Sequence, residues 1–180
     1  MNDHRESTHV EPRGVLDSAR HYIGEIVYGA NDGIITTFAV VTGVVGASLS
    51  ETVILVLGFA NLLADGFSMG ASNFLARRSE AEADDRADRT EAARHGTATV
   101  LSFVAAGLIP LLAYLLPLSE DVAFVTAVGL TAVALFTVGA SRALVTKLGF
   151  VRSGSEMLLV GSLAAAVAYG IGALAAALTG

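Results

Sequence analysis

Two carboxylates stand in segments that are otherwise apolar. Asp32 lies in YIGEIVYGANDGIITTFAVVTGVVGA and Asp65 in ETVILVLGFANLLADGFSMGASNFLARRSE. An Asp at the centre of a membrane helix costs about 2.5–3.5 kcal/mol on translocon scales, so it persists where it faces a bundle interior, a cavity or a partner. The plain structural reading is a carboxylate that hydrogen-bonds neighbouring helices. The surroundings favour more than that. Asn61, Asp65, Met69 and Asn73 recur every fourth residue and form one slowly drifting helical stripe. Alone, Met69 reads as a core filler. In line with a buried Asp it is a soft donor for a transition metal. In the earlier segment Glu25, Asp32, Thr36 and Gly43 share a face, with Asn31 beside it. A carboxylate at the mouth and another about two turns deeper suggest an inlet for a cation, although Glu25 alone could equally be a residue snorkelling to the interface. The candidate metal ligands are Asp32, Met69, Asp65, Glu25, Asn61 and Asn73.

Composition says what must position these groups. The chain has 180 residues, 53% of them hydrophobic and 16% charged, with no cysteine and a net charge of −6. Soluble domains run nearer 45–50% apolar and about 25% charged. This excludes a disordered chain, a disulfide or thiolate-metal protein and a nucleic-acid binder, which would carry a basic patch. Five apolar blocks run roughly over 23–47, 52–76, 97–117, 122–142 and 156–178. Each reaches the roughly 20 residues that a helix needs to cross the hydrocarbon core. None alternates as a barrel strand would, and helices satisfy their own backbone in lipid. The expected fold is an all-α integral membrane bundle of five transmembrane helices, one domain over 22–180 behind a polar tail at 1–21. The tail ends in a short amphipathic stretch near Val15–Arg20, and Pro110 should kink the third span.

Charge sets the topology. All 11 Lys and Arg residues fall in the tail, between the second and third blocks, or between the fourth and fifth. The opposite loops, Ser48–Glu51 and Pro117–Asp121, have none. The positive-inside rule then places the N-terminus in the cytoplasm and the C-terminus outside. The charged linker 77–95 holds Glu80, Glu82, Asp84, Asp85, Asp88 and Glu91, a possible cation-collecting surface. Its five arginines neutralise much of that field, so it reads as a solvated helix–turn connection. Arg142, Lys147 and Arg152, with Glu156, read as membrane-surface anchors. His4, His9, His21 and His95 lie outside the spans and lack metal-ligand spacing, so they are assigned no site.

Three stretches, GEIVYGANDGIITTFAVVTGVVGA, FANLLADGFSMGASNFLARRSE and VRSGSEMLLVGSLAAAVAYGIG, together resemble the vacuolar iron transporter (VIT) family of divalent-metal transporters. The resemblance runs from Tyr22 to the C-terminus. It implies a five-helix protomer, a homodimer, and a path for ferrous iron or manganese near the dimer interface, coupled to proton counterflow. The family's site residues carry over to Asp32 and Met69, and Glu25 matches its cytoplasmic inlet carboxylate. Family members usually have Glu where this chain has Asn61, and often also where it has Asn73. Asp65, one turn beyond Asn61, takes over the missing charge. The long Glu- and Met-rich cytoplasmic domain of eukaryotic members is replaced by the short linker, as in a prokaryotic-type member.

The leading functional reading is a secondary transporter that exports Fe2+ or Mn2+ from the cytoplasm by proton antiport. No cofactor is expected: the metal is cargo and the proton is the coupling ion. The expected partners are the lipid bilayer, divalent metal ions and a second copy of the chain, with the Gly-rich face of the first helix allowing the two copies to approach. The short, loop-poor chain suits a prokaryotic cytoplasmic membrane. No nucleotide-binding motif or buried catalytic pair points to a pump or an enzyme. The alternative is a non-transporting membrane scaffold whose carboxylates pin helix packing. A scaffold Asp would be sealed, whereas a transport Asp must be reached from one side.

Overall fold

The computed structural model describes residues 22–83, 89–144 and 149–179. The tail with its stretch near Val15–Arg20, the linker centre at 84–88 and Lys147 lie outside the described residues. Those described are helical, with no strand among them. Helix α1 is Ile23–Gly46 and α2 is Glu51–Ala83. Helix α3, Arg89–Gly107, continues into a 3-10 helix, Ile109–Leu115. Helix α4, Glu120–Ser141, ends in a 3-10 turn, Arg142–Leu144, and α5 is Phe150–Thr179.

Each apolar block lies in one of these rods, but three rods extend past their blocks. Helix α2 runs on to Ala83, as expected of a span that continues beyond the lipid, while α3 starts at Arg89 and α5 at Phe150, earlier than the apolar boundaries. Apolarity marks where hydrocarbon would lie; Arg, Glu and Ser are compatible with helix on either side of it. Pro110 acts as expected. It stands at the start of the 3-10 helix, where its missing N–H matters least, and the two segments meet at 42°.

Helices α2, α4 and α5 are long and apolar enough to cross a membrane, and α3 with its 3-10 continuation makes a fourth such span if the bent pair counts as one. Helix α1 is of similar length, 24 residues, and carries Asn31, Asp32, Thr36, Thr37 and Thr42 within it. Its place in the fold accounts for this. Helix α1 is the hub and packs against α2, α3, α4 and α5. The core around it includes Phe38, Val41, Ile54, Leu62, Phe103 and Leu111. The outer surface is apolar: Phe67, Leu163, Val167 and Leu178 are all exposed. Lipid, not water, suits such a surface, and the protein is a polytopic membrane protein.

The packing depends on glycine at points of helix contact. A Cβ at Gly33 in α1 would strike the Phe103 carbonyl oxygen of α3, and one at Gly172 in α5 would strike the Gly43 carbonyl oxygen of α1. This corrects the reading of α1's glycines as a face for a second copy. Gly29, Gly33 and Gly46 meet helices of the same chain. Small residues permit close approach to any neighbour, and here α3 and α5 fill that space.

Candidate metal pathway

The α1–α2 contact sets the two carboxylates on neighbouring helices. Asp32 lies in the middle third of α1 and Asp65 near the centre of α2. Both side chains are half-buried rather than sealed. Thr36 follows Asp32 by one turn and its hydroxyl donates to the Asp32 carbonyl oxygen at 2.8 Å, which ties it to its own helix. Asn31 precedes Asp32 in α1, and Asn61 lies one turn before Asp65 in α2. The Oδ1 of Asn31 and the Nδ2 of Asn61 are both buried with no protein hydrogen-bond partner. Buried amides are rarely left so, and each marks a place for water or a ligand.

The rest of the α2 stripe divides its roles. Met69 rests against the apolar core, and its side chain is half-buried. Asn73 turns to α3, donating from Nδ2 to Thr99 Oγ1 at 2.7 Å, and Thr99 in turn donates to the His95 carbonyl oxygen at 3.0 Å. One further step of four residues reaches Arg77.

Arg77 closes the bundle at the Glu25 end. Its Nη2 donates to Glu25 Oε1 at 2.7 Å, and His95 Nδ1 lies 2.8 Å from the same oxygen. An ionised carboxylate only accepts, so this contact assigns the ring proton to Nδ1. Tyr22 meets the His95 ring edge-on at 4.7 Å between centroids. Glu25 and His95 are buried, whereas Arg77 is 45% exposed. Ser102 of α3 donates to the Glu25 carbonyl oxygen at 3.3 Å. Glu25 is thus held by two donors from two other helices and does not snorkel freely. Among the described residues, no three His, Asp or Glu side chains converge to enclose a metal ion.

A sequence model of the VIT family matches residues 23–95 and 82–173. The chain belongs to the VIT family. Vacuolar iron transporter homolog 1 of Oryza sativa subsp. japonica is 34% identical over 166 residues, covering 81% of this chain and 70% of that protein. Vacuolar iron transporter 1 of the same plant is 26% identical over 210 residues, covering 83% of each chain. The vacuolar iron transporter of Toxoplasma gondii is 39% identical over 77 residues, 43% of this chain and only 26% of that longer protein. All six candidate ligands lie within the VIT match.

Sequence reasoning missed Arg77 and His95. Arg77 was grouped with a solvated linker, and His95 was assigned no role. Both had a signal. Arg77 continues the four-residue ladder of Asn61, Asp65, Met69 and Asn73, and His95, Thr99 and Ser102 fall at i, i+4 and i+7 on one face of a helix. The exposed Arg78–Glu82 pair, at 2.7 Å, does behave as a solvated linker should.

Proposed function

We propose that this VIT protein transports a divalent transition metal, Fe2+ or Mn2+, across its membrane, exporting it from the cytoplasm in exchange for protons. The observation that supports this most is the Asp32–Asp65 pair. Two carboxylates stand on helices that pack together, are partly open, and have no Lys or Arg in the sequence from 22 to 76. Two like charges on neighbouring helices with no basic partner are costly to ionise together, so a proton or a cation offsets them. A divalent ion displaces that proton, and a returning proton displaces the ion. Met69 supplies a soft donor one turn from Asp65 on the same helix. The iron in the relatives' names fits this mixed donor set.

In this reading, Glu25 is the cytoplasmic inlet carboxylate and Arg77 is its exchangeable partner. The buried side of the pair stays fixed and the exposed guanidinium is the part able to leave. One protomer supplies too few inner ligands for a six-coordinate ion, so two copies complete the site across a two-fold axis between their α1 helices. Cysteine cross-linking from exposed α1 positions such as Tyr28 in native membranes reports that contact. The scaffold alternative requires sealed carboxylates, whereas these are half-buried.

The test is uptake into inverted membrane vesicles under an imposed pH gradient, with Fe2+, Mn2+, Co2+, Zn2+ and Ca2+ side by side. Gradient-dependent uptake of Fe2+ or Mn2+ supports the proposal. Uptake of none of these ions, with the protein correctly inserted, overturns it in favour of the scaffold.

A further inference from the structure

At the end of the bundle away from Glu25, a cavity of about 290 Å3 opens between the α1–α2 turn, the 3-10 helix and the start of α4. Glu51, Tyr114, Glu120 and Asp121 line it, with Ser48 and Phe124 beside them. Acidic residues in the first turn of a helix are often only dipole partners, and Glu51 opens α2 while Glu120 and Asp121 open α4. Magnitudes argue against that being their whole role. Two helix N-termini bring about +0.5 charge each, against three carboxylates. No Lys or Arg lies in the sequence stretches 22–76 and 95–141 that build this end.

A second observation points to a ligand. Tyr114 is 7% exposed, and its hydroxyl has no protein hydrogen-bond partner. The Oε1 of Glu51 is likewise buried and unpartnered. A hydroxyl donor and a carboxylate acceptor left without protein partners at one cavity need water or an ion to satisfy them. The donors are all oxygen, which selects hard cations. The carboxylates do not converge as inner ligands, so the ion keeps part of its water shell. Six waters at about 30 Å3 each occupy about 180 Å3, within the volume of the cavity.

We propose that this cavity binds a hard divalent cation, Mg2+, Ca2+ or Mn2+, with retained waters, between the Glu51, Glu120 and Asp121 carboxylates and the Tyr114 hydroxyl. The site is separate from Asp32 and does not rest on the transport reading.

The test uses the full chain carrying Asp32→Asn, in nanodiscs of neutral lipid, so that failure of the transport site cannot be confused with failure of this one. The chain has four tyrosines and no tryptophan, so tyrosine excitation can sensitise bound Tb3+, a probe of hard oxygen sites. The expected result is saturable sensitised emission, displaced by Mg2+ or Ca2+. Glu51→Gln should raise the apparent Kd for Tb3+ about tenfold, equivalent to about 1.4 kcal/mol. The surface double variant Glu120→Gln/Asp121→Asn, which leaves the buried packing untouched, should also weaken binding. Tyr114→Phe should dim the emission. Absence of sensitised emission from the Asp32→Asn parent, or affinity unchanged in both carboxylate variants, overturns the proposal. So does emission that Tyr114→Phe leaves undiminished.

Discussion

Arg77 of α2 and Glu25 of α1 meet at 2.7 Å although they are 52 positions apart in the chain. The pair is asymmetric: Glu25 is 9% exposed and Arg77 45%. His95 of α3 grips the same carboxylate oxygen at 2.8 Å from a buried position. Three helices are therefore pinned at one end of the bundle by one carboxylate. Any cation that uses Glu25 must compete first with Arg77, the partner that water reaches.

This arrangement predicts unequal losses of stability. His95→Ala leaves a buried charged acceptor short of a donor, at a cost of about 1–3 kcal/mol. Arg77→Gln should cost less, because the guanidinium is partly solvated and exposed ion pairs contribute little. In Glu25→Gln/His95→Ala the two losses should not add, falling short of their sum by at least about 0.5 kcal/mol. Thermal unfolding in a fixed detergent reads all of these, and strict additivity would show that the contact carries no energy.

Glycine positions give a second, sign-sensitive prediction. Gly33→Ala puts a methyl into the Phe103 carbonyl oxygen of α3, so α1 and α3 must separate and Tm should fall. Gly129→Ala in mid-α4 meets nothing within 4 Å. It should be neutral or stabilising by up to about 1 kcal/mol through helix propensity. Equal effects at the two sites would contradict the packing described.

Much of this was legible in the sequence, and the missing part has a consistent cause. The five rods follow from apolar length, the α2 stripe from four-residue spacing, and the bend near Pro110 from a missing N–H. These are local properties. The partners of Glu25 are not, since His95 lies 70 positions away and only the α1–α3 packing brings it near. The same holds for the glycines of α1. Their spacing announces close approach but not the neighbour, and the neighbours are α3 and α5 of the same chain. Helix ends were misplaced at Arg89 and Phe150 because charged residues end an apolar block without ending a helix. Asp32 and Asp65 were visible as anomalies one by one, while the packing of their two helices required the fold.

The orientation inferred from the basic residues is open to direct labelling. The chain has no cysteine, so single replacements are clean. Cysteines at the exposed positions Ser50 and Ser119 should react with an impermeant maleimide from outside intact cells, and those at the exposed positions Ser79 and Ser155 only after permeabilisation. The reverse pattern would invert the direction of transport.

Met69→Leu tests which metal the proposed path prefers. Met69→Leu conserves volume against the apolar core and removes only the sulfur. Thioether is a soft donor and Mn2+ the harder ion, so Fe2+ transport should weaken more than Mn2+ transport. Competition uptake in vesicles gives the ratio, and an unchanged Fe2+ to Mn2+ ratio would remove Met69 from the coordination.

The most direct test of the central claim is the effect of Asp32→Asn on metal uptake driven by a pH gradient in inverted vesicles, compared with the unaltered chain at equal membrane content. The substitution keeps the shape of the side chain and removes its titratable charge. Asp65→Asn serves as the companion variant and should retain partial activity. The account predicts that Asp32→Asn protein inserts and runs on gel filtration as the parent does, but loses metal uptake together with its dependence on pH. Metal movement down the proton gradient at the parent rate in Asp32→Asn vesicles would contradict it and place the pathway elsewhere.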